Sequence, residues 1–228
     1  MFDGYWRKGV DQVVKPIGKN LHRAGVSADV LTVMGLVMAG AAAVVIGAGW
    51  LRVGLLLLIA SAIPDLLDGP VSAAAGTSSK RGAFFDSTAD RVTDALLLGG
   101  IAWHLSATDG GQAAILPFAV LGASALISYM RAKAESLGYE AKGGIMERAE
   151  RIIVLAFGLL FDVILVPVLW VMLVATLITA GQRFAKVWKQ ASAERPTPAP
   201  REGASTRRRQ ARAARRPIAA RRRGAGRR

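Results

Sequence analysis

A helix that crosses a membrane needs about 20 consecutive, mostly apolar residues, because no water is there to satisfy its backbone. This chain offers six such runs, at roughly 29–50, 52–68, 87–105, 112–132, 149–162 and 163–185. The last two share one stretch, "RIIVLAFGLLFDVILVPVLWVMLVATLITAG", which is too long for a single crossing. Asp162 and Pro167 offer a break inside it, and the short fifth run is expected to start as far back as Ile145. With 52% hydrophobic residues among 228, the composition belongs to the membrane class. The expected fold is therefore an all-α integral membrane protein with six transmembrane helices.

Charge gives the orientation. Arg7, Lys8, Lys15, Lys19 and Arg23 precede the first run, and Lys80 and Arg81 lie between the second and third. Arg131, Lys133, Lys142, Arg148 and Arg151 cluster between the fourth and fifth. The alternate loops, "GAGWLR", "HLSATDGGQ" and "LFDV", are nearly free of Lys and Arg. Cationic loops stay on the cytoplasmic side, so a multi-pass protein of the plasma membrane with both termini cytoplasmic is expected. Residues 4–22 alternate apolar and charged positions at near-helical spacing and read as an amphipathic helix lying on the inner membrane face. The N-terminus has no short apolar run with a small-residue cleavage site, so it does not read as a signal peptide. No cysteine is present, which excludes disulfides and thiolate metal sites.

The net charge of +14 resembles that of a nucleic-acid binder until it is located. Nearly all of it lies beyond residue 194, in a tail ending "REGASTRRRQARAARRPIAARRRGAGRR". Such a composition buries too little apolar surface to fold alone. The expected organisation is a membrane domain over 1–190 and a disordered Arg-rich cytoplasmic tail over 191–228. The tail is expected to meet anionic surfaces in a salt-dependent way, with no specific nucleic-acid partner.

Against this apolar background stands "DLLDGPVSAAAGTSSKRGAFFDSTAD", from Asp65 to Asp90. Asp65 and Asp68 close the second run, and Asp86 and Asp90 open the third. Spacings of three and four place each pair on one helix face. Two neighbouring helices then bring four carboxylates to one depth, where bare charges repel. Hard divalent cations such as Mg²⁺ or Mn²⁺ relieve that repulsion and also bind substrate phosphates. Gly69 and Gly82 mark places where backbone can approach a ligand. Asp94 continues the same carboxylate face, and His22 and His104 read as lone histidines.

Asp65, Asp68, Gly69, Gly82, Asp86 and Asp90 resemble, in register, the D-x-x-D-G-x-x-A-R-x8-G-x-x-x-D-x-x-x-D signature of the CDP-alcohol phosphatidyltransferase family. The resemblance implies a CDP-linked lipid donor held at a two-metal site, attack by an acceptor hydroxyl, and release of CMP. It implies Asp65, Asp68, Asp86 and Asp90 as ligands of two Mg²⁺ or Mn²⁺ ions, with Asp90 also the general base. "GVSADVLT" resembles the family's entry to the first span, so Asp29, Val30, Leu31 and Thr32 are implied in CDP-diacylglycerol binding, with Gly69, Ser79 and Gly82. Ser27 or Asp29 also suits an N-cap. The chain departs from the signature where its Ala-Arg falls on Ser72-Ala73. Ala73 carries no charge for the nucleotide phosphates, and Lys80 or Arg81 in the same loop is expected to supply it.

Cationic and hydroxyl groups between the fourth and fifth runs exceed what orientation requires and point to an anionic acceptor. "SYMRAKAESLG" and "GGIMERAERIIV" resemble segments of the family branch, actinobacterial in type, that uses inositol phosphate. Arg131 and Lys133 stand there in exchanged Lys and Arg positions. By that resemblance Ser128, Arg131, Arg151 and Arg183 hold the phosphate of 1D-myo-inositol 3-phosphate, and the product is phosphatidylinositol phosphate. Glycerol 3-phosphate as acceptor remains an alternative. So does a weakly active relative that anchors at the membrane through its basic tail. The family often forms homodimers, which "MAGAAAVVIGAG" would allow by close packing.

Overall fold

The computed structural model describes residues 16–18, 20–76, 79–108 and 111–193. Residues 4–15 of the expected amphipathic helix lie outside the described residues, and so does the tail from residue 194 onward. The chain divides into two units, Met1–Lys189 and Gln190–Arg228. Among the described residues there is no strand. Six α-helices follow in order: α1 (Ala28–Gly47), α2 (Leu51–Ala75), α3 (Lys80–Thr108), α4 (Ile115–Ser136), α5 (Arg148–Leu160) and α6 (Leu165–Ala193). Residues 16–18 and 20–23 ahead of them are also helical.

Local chemistry sets the helix ends. Ser27 caps α1, its hydroxyl accepting the Val30 N–H at 3.3 Å. Gly76, at φ 64°, ends α2 in the left-handed conformation. Ser79 then caps α3 by accepting the Gly82 N–H at 3.0 Å. These two signals carry α2 and α3 well past their apolar runs, and both helices pack on α1. The expected break near Asp162 is a short 3₁₀ turn, Asp162–Ile164, between α5 and α6.

Among the described residues, three segments are long and apolar enough to cross a membrane: Ala28–Gly47, Ile115–Ser136 and Asp162–Ala193. Six were expected, and the shortfall has a physical cause. The helices α2 and α3, with 25 and 29 residues, have the length but carry Arg52, Asp65 and Asp68, and Asp86, Asp90, Arg91 and Asp94. Helix α5 has only 13 residues, about 20 Å at the helical rise.

The helix α1 packs along both α2 and α3, while α4 packs on α3 and α5 on α2. At the α1–α3 crossing Gly100 lies against the backbone of Ala43, where any Cβ would collide. Ile46, Leu58, Leu97, Ile101, Leu159 and Leu169 are fully enclosed in the core. Outward-facing Val37, Leu56, Phe118, Trp170 and Val171 are each more than half exposed, an apolar exterior that suits lipid. His104 is not alone, as the sequence reading had it: it is buried, with Nε2 3.8 Å from Asp162 Oδ1.

Candidate active site

The site lies where α1, α2, α3 and α5 meet. Asp65, Asp68 and Asp86 each bring one carboxylate oxygen to a common cluster, all within 4.8 Å of one another. Each is half-buried. Three carboxylates this close form a hard-oxygen donor set, the kind that suits Mg²⁺ or Mn²⁺. The hydroxyl of Thr32 on α1 lies 3.3 Å from Asp68 Oδ2, joining the start of α1 to the cluster.

Asp90, one turn further along α3, faces arginine. Its Oδ1 is 2.9 Å from Arg148 Nη1, and its Oδ2 is 3.5 Å from Arg91 Nη2. Arg148 is the first residue of α5, and its Nη1 also donates to Asp65 Oδ2 at 2.6 Å. One guanidinium thus bridges a member of the carboxylate cluster to Asp90. Thr32, Asp65, Asp90, Thr93, Arg148 and Ile152 line a cavity there. Deeper on α3, Asp94 Oδ2 accepts from Arg151 Nη2 at 3.1 Å, with Arg151 buried and Asp94 nearly so.

The residues expected to hold an acceptor phosphate fall into two groups. Ser128 accepts a bond from Arg91 and donates to the Ser124 carbonyl at 2.9 Å, so α4 connects to the Asp90 neighbourhood. Arg151 joins through Asp94. Arg131 instead pairs with Glu135 on its own helix, at 3.0 Å. Arg183 is almost fully buried and donates to the Gly143 and Ile127 carbonyls and to Glu147, each at 3.0 Å. It pins the segment before α5 against α4 and α6.

Of the remaining expected donor contacts, Val30 is half exposed and Leu31 is buried. Asp29 pairs with Arg81 across the site mouth. Ser79 caps α3, and a Cβ at Gly69 would meet nothing within 4 Å. Sequence reasoning missed Arg91 altogether and missed the bridging place of Arg148. The available signal for Arg91 was a cation directly after Asp90 in an otherwise apolar run. Two nitrogens there, Arg91 Nε and Arg148 Nε, are buried without a hydrogen-bond partner.

Fold and site together define an all-helical membrane protein that gathers an acidic cluster and buried arginines at one place. Residues 26–188 match the family model of the CDP-alcohol phosphatidyltransferases, and the chain belongs to that family. It is similar to the phosphatidylinositol phosphate synthase of Corynebacterium glutamicum, at 35% identity over 85% of this chain and 92% of the relative. The archaetidylinositol phosphate synthase of Methanothermobacter thermautotrophicus is 35% identical over 81% of this chain and 93% of its own length. Among solved structures, Mycobacterium tuberculosis phosphatidylinositol phosphate synthase with CDP-DAG bound superposes with a TM-score of 0.73 at 29% identity, covering 82% of this chain and 99% of that one. The same enzyme in complex with manganese and citrate gives a TM-score of 0.74 at 29% identity, over 81% and 93%.

Proposed function

We propose that this protein transfers the phosphatidyl group of CDP-diacylglycerol to 1D-myo-inositol 3-phosphate, releasing CMP and leaving phosphatidylinositol phosphate in the membrane. The cluster of Asp65, Asp68 and Asp86 beside the Arg148-bridged Asp90 carries this reading. The names of its relatives supply the acceptor. Asp65, Asp68, Asp86 and Asp90 are the residues that would hold two Mg²⁺ or Mn²⁺ ions. Bound there, the ions would neutralise the diphosphate and the charge developing on CMP.

The chain's own residues do the rest. Asp29, Val30, Leu31, Thr32, Gly69, Ser79 and Gly82 receive the nucleotide end of the donor. Ser128, Arg131, Arg151 and Arg183 hold the acceptor phosphate. The Nε–H groups of Arg91 and Arg148, buried and without a hydrogen-bond partner among the described residues, add two donors for that phosphate beside Asp90. Asp90 takes the proton of the acceptor hydroxyl. The freed oxygen attacks the lipid-side phosphorus, and the bond from that phosphorus to the oxygen of CMP breaks. Arg148 and Arg91 hold the Asp90 carboxylate in place for the proton transfer.

The architecture we propose around this site has six spans, with α2, α3 and α5 completed as crossings by their neighbours. Both termini and the site face the cytoplasm at the plasma membrane, and an amphipathic helix over 4–22 lies on the inner face. Homodimers form through the small-residue-rich helices. The reading is tested by CMP release from CDP-diacylglycerol. Release is expected with Mn²⁺ and inositol 3-phosphate together, and it should stop when EDTA removes the metal. CMP release that ignores both acceptor and EDTA would overturn it.

A further inference from the structure

The departure from the family signature at Ala73 has a geometric answer. Ala73 lies five residues past Asp68 toward the end of α2, and Arg81 lies five residues before Asp86 at the start of α3. Asp68 and Asp86 meet in the carboxylate cluster. Five residues are about 7.5 Å of helix. The two positions therefore stand at about the same distance from the cluster, both on the side of the loop that joins α2 to α3. A charge that α2 lacks at that level is present on α3.

The direction taken by Arg81 agrees. Its guanidinium crosses to Asp29 in the first turn of α1, the helix whose Thr32 touches Asp68. So Arg81 faces the mouth of the cluster. The pair is exposed, with side-chain exposures of 82% for Arg81 and 45% for Asp29. An exposed ion pair is held weakly. A diphosphate presents more negative charge than one carboxylate, and a guanidinium can take two of its oxygens at once.

We infer that Arg81 is the side chain with which this protein holds the diphosphate of its CDP-linked donor, from the level where Ala73 carries no charge. Asp29 is its resting partner, and donor entry exchanges Asp29 for phosphate. The exchange also frees Asp29 for the nucleotide end of the same ligand. This inference rests on the donor assignment made under Proposed function.

The test uses the full chain in detergent with Mn²⁺ and has two readouts: calorimetric binding of CDP, and KM and kcat for CMP release. Arg81→Ala should weaken CDP binding and raise the donor KM by about tenfold, the scale of one charged hydrogen bond, with a smaller change in kcat. Arg81→Lys should fall between. Placing the charge on α2 instead, as Ala73→Arg in the Arg81→Ala background, should restore CDP binding. Wild-type CDP affinity in Arg81→Ala would overturn the inference, as would a double variant no tighter than Arg81→Ala. A wild-type chain that binds CDP in an Arg81-dependent way but releases no CMP would count against the proposed reaction and support the role of Arg81.

Discussion

Asp90 and Asp94 sit one turn apart on α3 and have different tasks. Asp90 lies in the cavity with Asp65, Thr93 and Arg148, where an acceptor hydroxyl can reach it. Asp90→Asn keeps the side-chain shape and removes the proposed base. It should lower CMP release by about a hundredfold or more, measured as kcat, while CDP still binds. Unchanged kcat would remove Asp90 from the chemistry. Asp94 answers the buried Arg151 at 3.1 Å. Asp94→Asn leaves that guanidinium buried without its counter-charge, a loss of about 3 kcal/mol. The expected readout is a lower midpoint in a thermal stability assay in detergent, and an unshifted midpoint would show that Arg151 finds another partner. The four aspartates of the signature were legible as a group because i, i+3 and i, i+4 spacings need only a helix. Their arginine partners were not. Arg148 lies 83 residues from Asp65, and only the packing of α5 on α2 joins them.

At the scale of elements, helix ends followed signals present in the sequence. Ser27, Gly76 and Ser79 are a cap, a stop and a cap, and each acts as one. The hydropathy runs nevertheless place the ends of the second and third helices too early and too late. Apolar runs at 52–68 and 87–105 became α2 to Ala75 and α3 from Lys80. Hydropathy reports where lipid is, and a helix continues past it wherever caps allow. Asp86 stands in the added turns of α3 and Asp68 directly before those of α2, so both are mounted inside continuous helix. Arg183 shows the reverse limit. Its charge was legible, but the oxygens of Gly143, Ile127 and Glu147 that three of its nitrogens meet lie 40, 56 and 36 residues away and are brought to it only by the packing. The crossing of α1 and α3 also has a clear test. Gly100→Leu forces a side chain into the Ala43 backbone and should cost about 2 kcal/mol, again as a lowered thermal midpoint. A neutral outcome would mean that the two helices separate without loss.

At the scale of the whole molecule, charge and apolarity are divided between regions. The membrane domain has an apolar exterior, and the acidic cluster with its arginines lies inside. The positive excess of the full chain lies beyond residue 194. The proposed crossings make Ser106 and Ser136 emerge on opposite sides. The chain has no cysteine, so single replacements report topology without background. In sealed inside-out vesicles, Ser136→Cys should react with an impermeant maleimide and Ser106→Cys should not. Labelling of both from the same side would contradict six spans. The central claim is most directly tested by following the acceptor itself. Inositol 3-phosphate labelled in its phosphate is supplied with CDP-diacylglycerol and Mn²⁺, and the organic-soluble label is counted against CMP. One labelled lipid per CMP is expected, with glycerol 3-phosphate a poor replacement. Label that stays in the aqueous phase while CMP appears, or preferred use of glycerol 3-phosphate, would contradict it.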